Sequence, residues 1–167
     1  MQETAQEYTA RILSNVEGKD PAKVLKTTPK KIKQLIKGVK KKALYKKPAP
    51  GKWSVAEIIA HLAESELVLG WRYRSIAEKN GVAIEPFDQD DWAVNSRYEK
   101  SDVKEMLEMF TVLRAATVRF LSGLPAEKWE QYGMHQERGK ETIMHIRNME
   151  AGHDLNHYKQ IEKILRT

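Results

Sequence analysis

The sequence predicts an all-α protein, a four-helix bundle, and three observations carry that prediction. Apolar residues recur at spacings of three and four over long stretches, while the alternation that marks a half-buried strand is absent. The periodic stretches are bounded by start and stop signals of helical type. At 167 residues the chain can close a real core, so one domain over 1–167 is expected.

The elements follow in order. A first helix is expected over about 3–17 and breaks at "EGKDP", where Gly18 and Pro21 punctuate. A second, over about 29–38, opens with Thr28-Pro29, read as an N-cap followed by proline at the first helical position. Its stripe is Ile32, Leu35, Ile36 and Val39. The segment "KKPAPGKW" (46–53) is a linker, because its prolines and glycine cannot remain helical. A long helix then spans 53–81. Ser54 and Glu57 form a capping box, Trp53 is placed as a hydrophobic staple against Ile58, and Asn80-Gly81 is the stop. Residues 81–100, with "PFDQDDWAVNS" at their centre, read as a long polar loop. Ser101 and Asp102 open the next helix, with stripe Val103, Met106, Leu107, Phe110, Leu113, Thr117 and Leu121, and "SGLP" ends it. A short segment near 125–132 precedes the final helix, about 140–165.

Composition narrows the chemistry. The chain has no cysteine, which excludes disulfides, Fe–S clusters, thiolate zinc sites and cysteine nucleophiles. Any metal must be held by histidine, carboxylate or water. No stretch approaches the roughly 20 apolar residues of a membrane span, and the N-terminus carries no signal-peptide pattern. A soluble, cytoplasmic protein is expected. The net charge of +6 is uneven, since residues 19–47 hold twelve lysines against one acid, Asp20. A nucleic-acid partner is not expected from this block. It contains no arginine for bidentate base reading and one aromatic, Tyr45, so a solvated helix face is the better reading.

The candidate chemistry lies in "HDLNHYKQI", residues 153–161. His153 and His157 are four apart on a helix and face the same way. They fall on the stripe of Ile143, Ile146, Glu150, Ile161 and Ile164, so the pair is either a metal chelate or a hydrogen-bonded piece of the core. Asp154 follows the first histidine where a zincin motif requires glutamate, so that motif is not met. Two imidazoles leave a metal under-coordinated. His61, at the edge of the stripe of Val55, Ile58, Ile59, Leu62 and Leu69, is the best third ligand, because facing bundle helices bring such side chains within reach. His145 is two turns below His153 and too far. His135 either approaches the site or is exposed.

"GKWSVAEIIAHLAESE" followed by "HDLNHYKQI" resembles the DinB-like superfamily, including its YfiT-type members. The likeness covers about residues 5–165. It rests on Trp-Ser before the capping glutamate, His-Leu in mid-helix, and the paired histidines followed by Gln-Ile. The resemblance implies a bundle in up-down-down-up order with a long crossover loop, and a homodimer. It also implies a divalent metal, zinc or nickel, on three histidines, carried over here to His61, His153 and His157. Asn156 stands where the family often has histidine, which leaves that set intact.

Three neutral imidazoles leave a divalent ion its full charge and an open position, the arrangement of a catalytic site. The resemblance implies a thiol S-transferase-like enzyme that joins a low-molecular-weight thiol to a small-molecule substrate. A metal-dependent hydrolase, or a non-enzymatic metal-binding or stress-response protein, is the alternative. Glu57, Glu64, Glu66 and Glu150 are candidate partners for the ligands or carriers of protons, against the plain reading of salt pairing. Asp88, Asp90, Asp91 and Trp92 either cover the metal mouth or form a polar crossover.

Overall fold

Side-chain caps set where the helices begin. Thr4 and Glu7 form a reciprocal capping box that opens α1 (Ala5–Ser14). Asp20 accepts from the Ala22 N–H at 2.9 Å, and Pro21 takes the first position of α2 (Pro21–Leu35). A single turn, α3 (Lys41–Leu44), precedes the linker. The expected box of Ser54 and Glu57 is present and opens α4 (Val55–Glu78). Asp102 caps α6 (Val103–Ser122), and Thr142 caps α7 (Ile143–Leu165). The computed structural model describes residues 3–166.

Two expectations are corrected. Thr28-Pro29 does not start a helix: α2 begins about two turns earlier, and both residues are buried in its interior. Thr28 turns its hydroxyl back onto the Val24 carbonyl at 2.8 Å, and Pro29 has no N–H to offer Leu25. The chain also contains a small sheet. Strands β1 (Val82–Ile84) and β2 (Tyr132–His135) pair in parallel, and β2 pairs antiparallel with β3 (Gly139–Thr142). Strands of three or four residues are too short for alternation to show in sequence. The 81–100 stretch is a connection as expected, but it holds β1, the helix α5 (Gln89–Asn95, capped by Asp88) and a 3₁₀ turn at Tyr98–Lys100.

The composition of the core fixes the helix directions. One cluster joins Ile32 near the end of α2 with Ile58, Ile59 and Leu62 early in α4, Val103, Leu107 and Phe110 early in α6, and Ile161 late in α7. The other joins Val24 and Leu25 early in α2 with Tyr73 and Ile76 late in α4, Leu121 late in α6, and Ile143 and Ile146 early in α7. Thus α4 and α6 run together and opposite to α2 and α7, an up-down-down-up bundle. Parallel α4 and α6 oblige the connection between them to return along the whole bundle, and residues 79–102 do so. Helix α1 packs on α7 outside the four. Its approach is close: a Cβ on Gly152 would lie 2.1 Å from the Ile12 carbonyl oxygen. The twelve lysines of 19–47 are all exposed, as a solvated face requires.

One side chain joins all four bundle helices. Arg114 of α6 is buried and donates to Glu66 Oε1 of α4 at 2.7 and 3.0 Å. It also donates to Asp154 of α7 at 2.5 and 3.0 Å. Glu150 Oε1 lies 3.1 Å away, and the Leu25 carbonyl of α2 accepts at 3.2 Å. That carbonyl is the one Pro29 leaves without its helical partner. Truncating Arg114 would strand three buried carboxylates, so Arg114→Met is expected to cost about 3–5 kcal/mol in urea unfolding. Gly152→Ala is expected to cost about 1–3 kcal/mol, because backbone rather than a flexible side chain must give way. A Gly152→Ala protein with unchanged melting temperature would show that α1 is not seated as described.

Candidate metal centre

Three imidazoles converge between α4 and α7. His61 comes from α4, held beneath the Trp53 ring at 4.9 Å between centroids. His153 and His157 come from successive turns of α7. His153 Nε2 lies 3.0 Å from His61 Nε2 and 3.0 Å from His157 Nε2. All three candidate ligand atoms lie within 4.8 Å of one another. The three residues chosen from sequence are therefore brought together. His145 and His135 stay outside this group: His145 faces Glu141 at 3.8 Å, and His135 is buried on β2.

The donor set suits a cation. His157 donates its Nδ1–H to Gln160 Oε1 at 2.9 Å, which leaves the Nε2 lone pair aimed at the centre. A proton on His153 Nε2 could bridge to one neighbour only and would leave the other contact lone pair against lone pair. A divalent ion at the common point satisfies all three nitrogens. Burial also favours the neutral, ligating form. It holds His61 and His153 well below the ordinary imidazole value, with the charge on His157 adding to it. It brings His157 down to about 4, against a raising contribution from Gln160.

The centre opens on a cavity of about 520 Å³. His61, Leu69 and Arg72 of α4, Glu150 and His153 of α7, and Tyr8 of α1 contribute to its wall. The crossover walls the mouth through Phe87 and Gln89 rather than through the acids considered from sequence: Asp88 caps α5, and Asp90 and Asp91 are exposed. Trp92 packs on Phe87 at 5.0 Å.

The candidate carboxylates have other partners. Glu57 caps α4 and pairs with Lys47 at 2.9 Å. Glu64 accepts from Tyr98 at 2.8 Å and from Ser96 at 3.2 Å, and Glu66 belongs to Arg114. Glu150 alone of these lines the cavity, and Tyr73 donates to its Oε2 at 2.6 Å. Burial and then the neighbouring Glu66 push Glu150 far above the usual carboxylate range, despite Arg114. Burial thus favours its protonated form over the carboxylate. Among the described residues no carboxylate hydrogen-bonds to any of the three imidazoles. Arg114 was not foreseen from sequence, although its place one turn after Phe110 on the α6 stripe marks it as inward-facing.

The histidine shifts set a pH dependence with a definite sign. In metal-free protein, unfolding raises each imidazole toward about 6.5. Between that value and the depressed native one, the unfolded chain binds more protons, so stability present above pH 6.5 is lost as pH falls. For His157 the window runs down to about 4. Urea unfolding at pH 7 and pH 5 is expected to show this loss, and His157→Gln should reduce it by about 1–3 kcal/mol. An unchanged loss in the variant would place His157 in an exposed or already protonated state.

Comparison with known proteins accords with the bundle. YfiT of Bacillus subtilis, provisionally named a metal-dependent hydrolase, is 24% identical over 163 residues, covering 96% of this chain and 91% of that protein. OB0413 of Oceanobacillus iheyensis, provisionally named in the same way, is 21% identical over 140 residues, covering 84% and 80%. A solved structure of YfiT from Bacillus subtilis superimposes with a TM-score of 0.81 at 19% identity, over 99% of this chain and 89% of that one. It is described as a probable metal-dependent hydrolase with an unusual four-helix bundle topology, and the likeness extends to the bundle fold seen here. The model of the DinB superfamily matches residues 25–161, from the start of α2 to the end of the histidine motif, and the chain belongs to that superfamily.

Proposed function

We propose that His61, His153 and His157 hold one divalent metal ion, zinc or nickel, and that the protein is a metal-dependent enzyme acting on a small molecule. The observation that carries this reading is the convergence of three neutral Nε2 atoms, with His61 and His153 on the wall of a cavity. A divalent ion bound there supplies Lewis acidity, lowering the pKa of a water or thiol and polarising a substrate oxygen. The chain's own residues set the stage for it. Gln160 fixes the tautomer of His157, Trp53 shields His61, and the buried Glu150 lines the cavity wall with His153.

The names of the relatives support hydrolysis. One observation favours transfer of a low-molecular-weight thiol instead. Activating water calls for a general base, and the carboxylates near the site are already engaged: Glu57 in a cap, Glu64 with Tyr98, Glu66 with Arg114 and Glu150 with Tyr73. A thiol of ordinary acidity needs less help to become a nucleophile. Thiol transfer is therefore our first reading and hydrolysis the second. A cytoplasmic homodimer belongs to the same proposal, and the exposed Leu67 and Trp71, one turn apart on α4, offer a surface for pairing. No helix among the described residues is long and apolar enough to cross a membrane.

The test begins with metal content. Protein purified without a nickel column is expected to carry about one ion per chain. His61→Ala, His153→Ala and His157→Ala should each lose most of it, and His145→Ala should not. Full occupancy in His61→Ala would refute the ligand set. Chelation should leave the helical circular dichroism intact and lower only the melting temperature, whereas collapse would mark a structural ion. Loaded protein is then offered glutathione, cysteine, bacillithiol and mycothiol with electrophiles, beside esters and amides. Metal-dependent turnover in the first set supports transfer, and turnover in the second alone supports hydrolysis.

A further inference from the structure

The cavity extends well beyond the histidines. His61, Ser65, Leu69 and Arg72 all line it, and their spacing of four, four and three places them on one face of α4. From His61 to Arg72 the helix rises about 16 Å. One end of the cavity therefore carries the imidazoles and the other a guanidinium, with Leu69 and Phe87 among the apolar side chains between.

Among the described residues, Arg72 forms no ion pair. The residue is 8% exposed, and its Nη2 donates to the Glu85 carbonyl at 2.6 Å. Its guanidinium sits 5.9 Å from the centre of the Phe87 ring. Other arginines near the cavity are neutralised: Arg138 holds Glu141 at 2.7 and 3.2 Å, and Arg11 holds Glu3 at 2.7 and 2.9 Å. Arg72 is kept in place by a backbone oxygen and an aromatic face instead. Burial, followed by the nearby Arg138, makes its charge less favourable, and Glu141 offsets this only in part. His135, close enough to feel the Arg72 charge but not a lining residue of the cavity, carries a further unused donor. Its Nδ1 accepts from the Glu137 and Arg138 N–H groups, so its proton sits on Nε2, buried with no acceptor among the described residues. Arg138 and Arg72 are both close enough for their charges to act on this imidazole, after burial itself. Among the described residues lining the cavity, Glu3 is paired with Arg11 and Glu150 sits in the Arg114 network, and the remaining carboxylate is the exposed Glu137.

A buried cation with unused donors facing a cavity asks for an anion from outside. We infer that Arg72 is an anion clamp for the substrate, and that the cavity takes an elongated organic acid. Its carboxylate lies on Arg72, its apolar body along Leu69 and Phe87, and its reacting end at the histidines. Of the two guanidiniums lining the cavity, Arg138 is neutralised by Glu141, and one unpaired guanidinium with no lysine beside it matches a singly charged carboxylate better than a doubly charged phosphate. The inference rests on the reading of this cavity as the substrate site.

The probes are 4-phenylbutyrate and its uncharged amide, with phenyl phosphate as the competing anion, titrated by calorimetry into metal-free and zinc-loaded protein. The acid is expected to bind at least tenfold tighter than the amide. Arg72→Gln should abolish that preference while zinc content stays at the wild-type level, and Arg72→Lys should retain part of it. The wild-type acid-to-amide ratio and the lysine variant decide the matter if the glutamine variant does not fold. His61→Ala should lose zinc yet keep the preference for the acid, so failure of the metal assignment and failure of the clamp give different results. Equal binding of acid and amide, or a preference that survives Arg72→Gln, would overturn the inference and leave Arg72 a structural anchor of the Glu85 turn. Tighter binding of phenyl phosphate than of the acid would overturn the assignment to carboxylates.

Discussion

Arg114 governs much of this structure because a guanidinium buried in a helical core cannot be left incomplete. It requires oxygen acceptors, and it draws them from every other bundle helix: Glu66 on α4, Asp154 and Glu150 on α7, and the Leu25 carbonyl on α2. A network of this kind is a weak source of net stability, since removing its charged groups from water offsets most of their attraction. Its contribution lies in specificity. An apolar seam tolerates sliding by a turn, whereas a guanidinium facing three carboxylates accepts one register.

That register is what assembles the histidines. Glu66 follows His61 by little more than a turn, and Asp154 is the immediate neighbour of His153. Fixing Glu66 and Asp154 on one guanidinium aligns α4 with α7 at the level where the imidazoles meet. Asp154, which in a zincin-like reading would stand near the metal, points into the network instead. The same packing buries the imidazoles and keeps them neutral. Helix α1, seated against Gly152, walls the cavity beside them with Tyr8.

Charge is distributed unevenly around the cavity, and that distribution is chemically informative. The Arg114 network has more carboxylates than cations, and burial there pushes Glu150 at the cavity wall far above the usual carboxylate range. The far end has the opposite imbalance, with Arg72 in no ion pair among the described residues. A carboxyl of raised proton affinity, imidazoles beside it and a positive charge about three helix turns away are complementary features of a site for polar small molecules.

What the sequence determined by itself was local. The capping box of Ser54 and Glu57, the start at Asp102, the stripes of α4 and α6 and the common face of His153 and His157 all depend on residues three or four apart, where helix geometry dictates contact. His61 was legible as a third member because a bundle must set its helix face against another. Only the tertiary structure decided the rest. Local chemistry made Thr28-Pro29 read as a helix start, yet the Pro29 interior position is tolerated because Arg114, 89 residues from Leu25 in sequence, occupies the freed carbonyl. The strands are too short to announce themselves, and their pairing joins segments about fifty residues apart. Glu57, Glu64, Glu66 and Glu150 looked equivalent along the chain. Their roles as cap, tyrosine acceptor, arginine partner and buried cavity-wall carboxyl follow from which distant groups burial places against each, and no periodicity in a single helix encodes that.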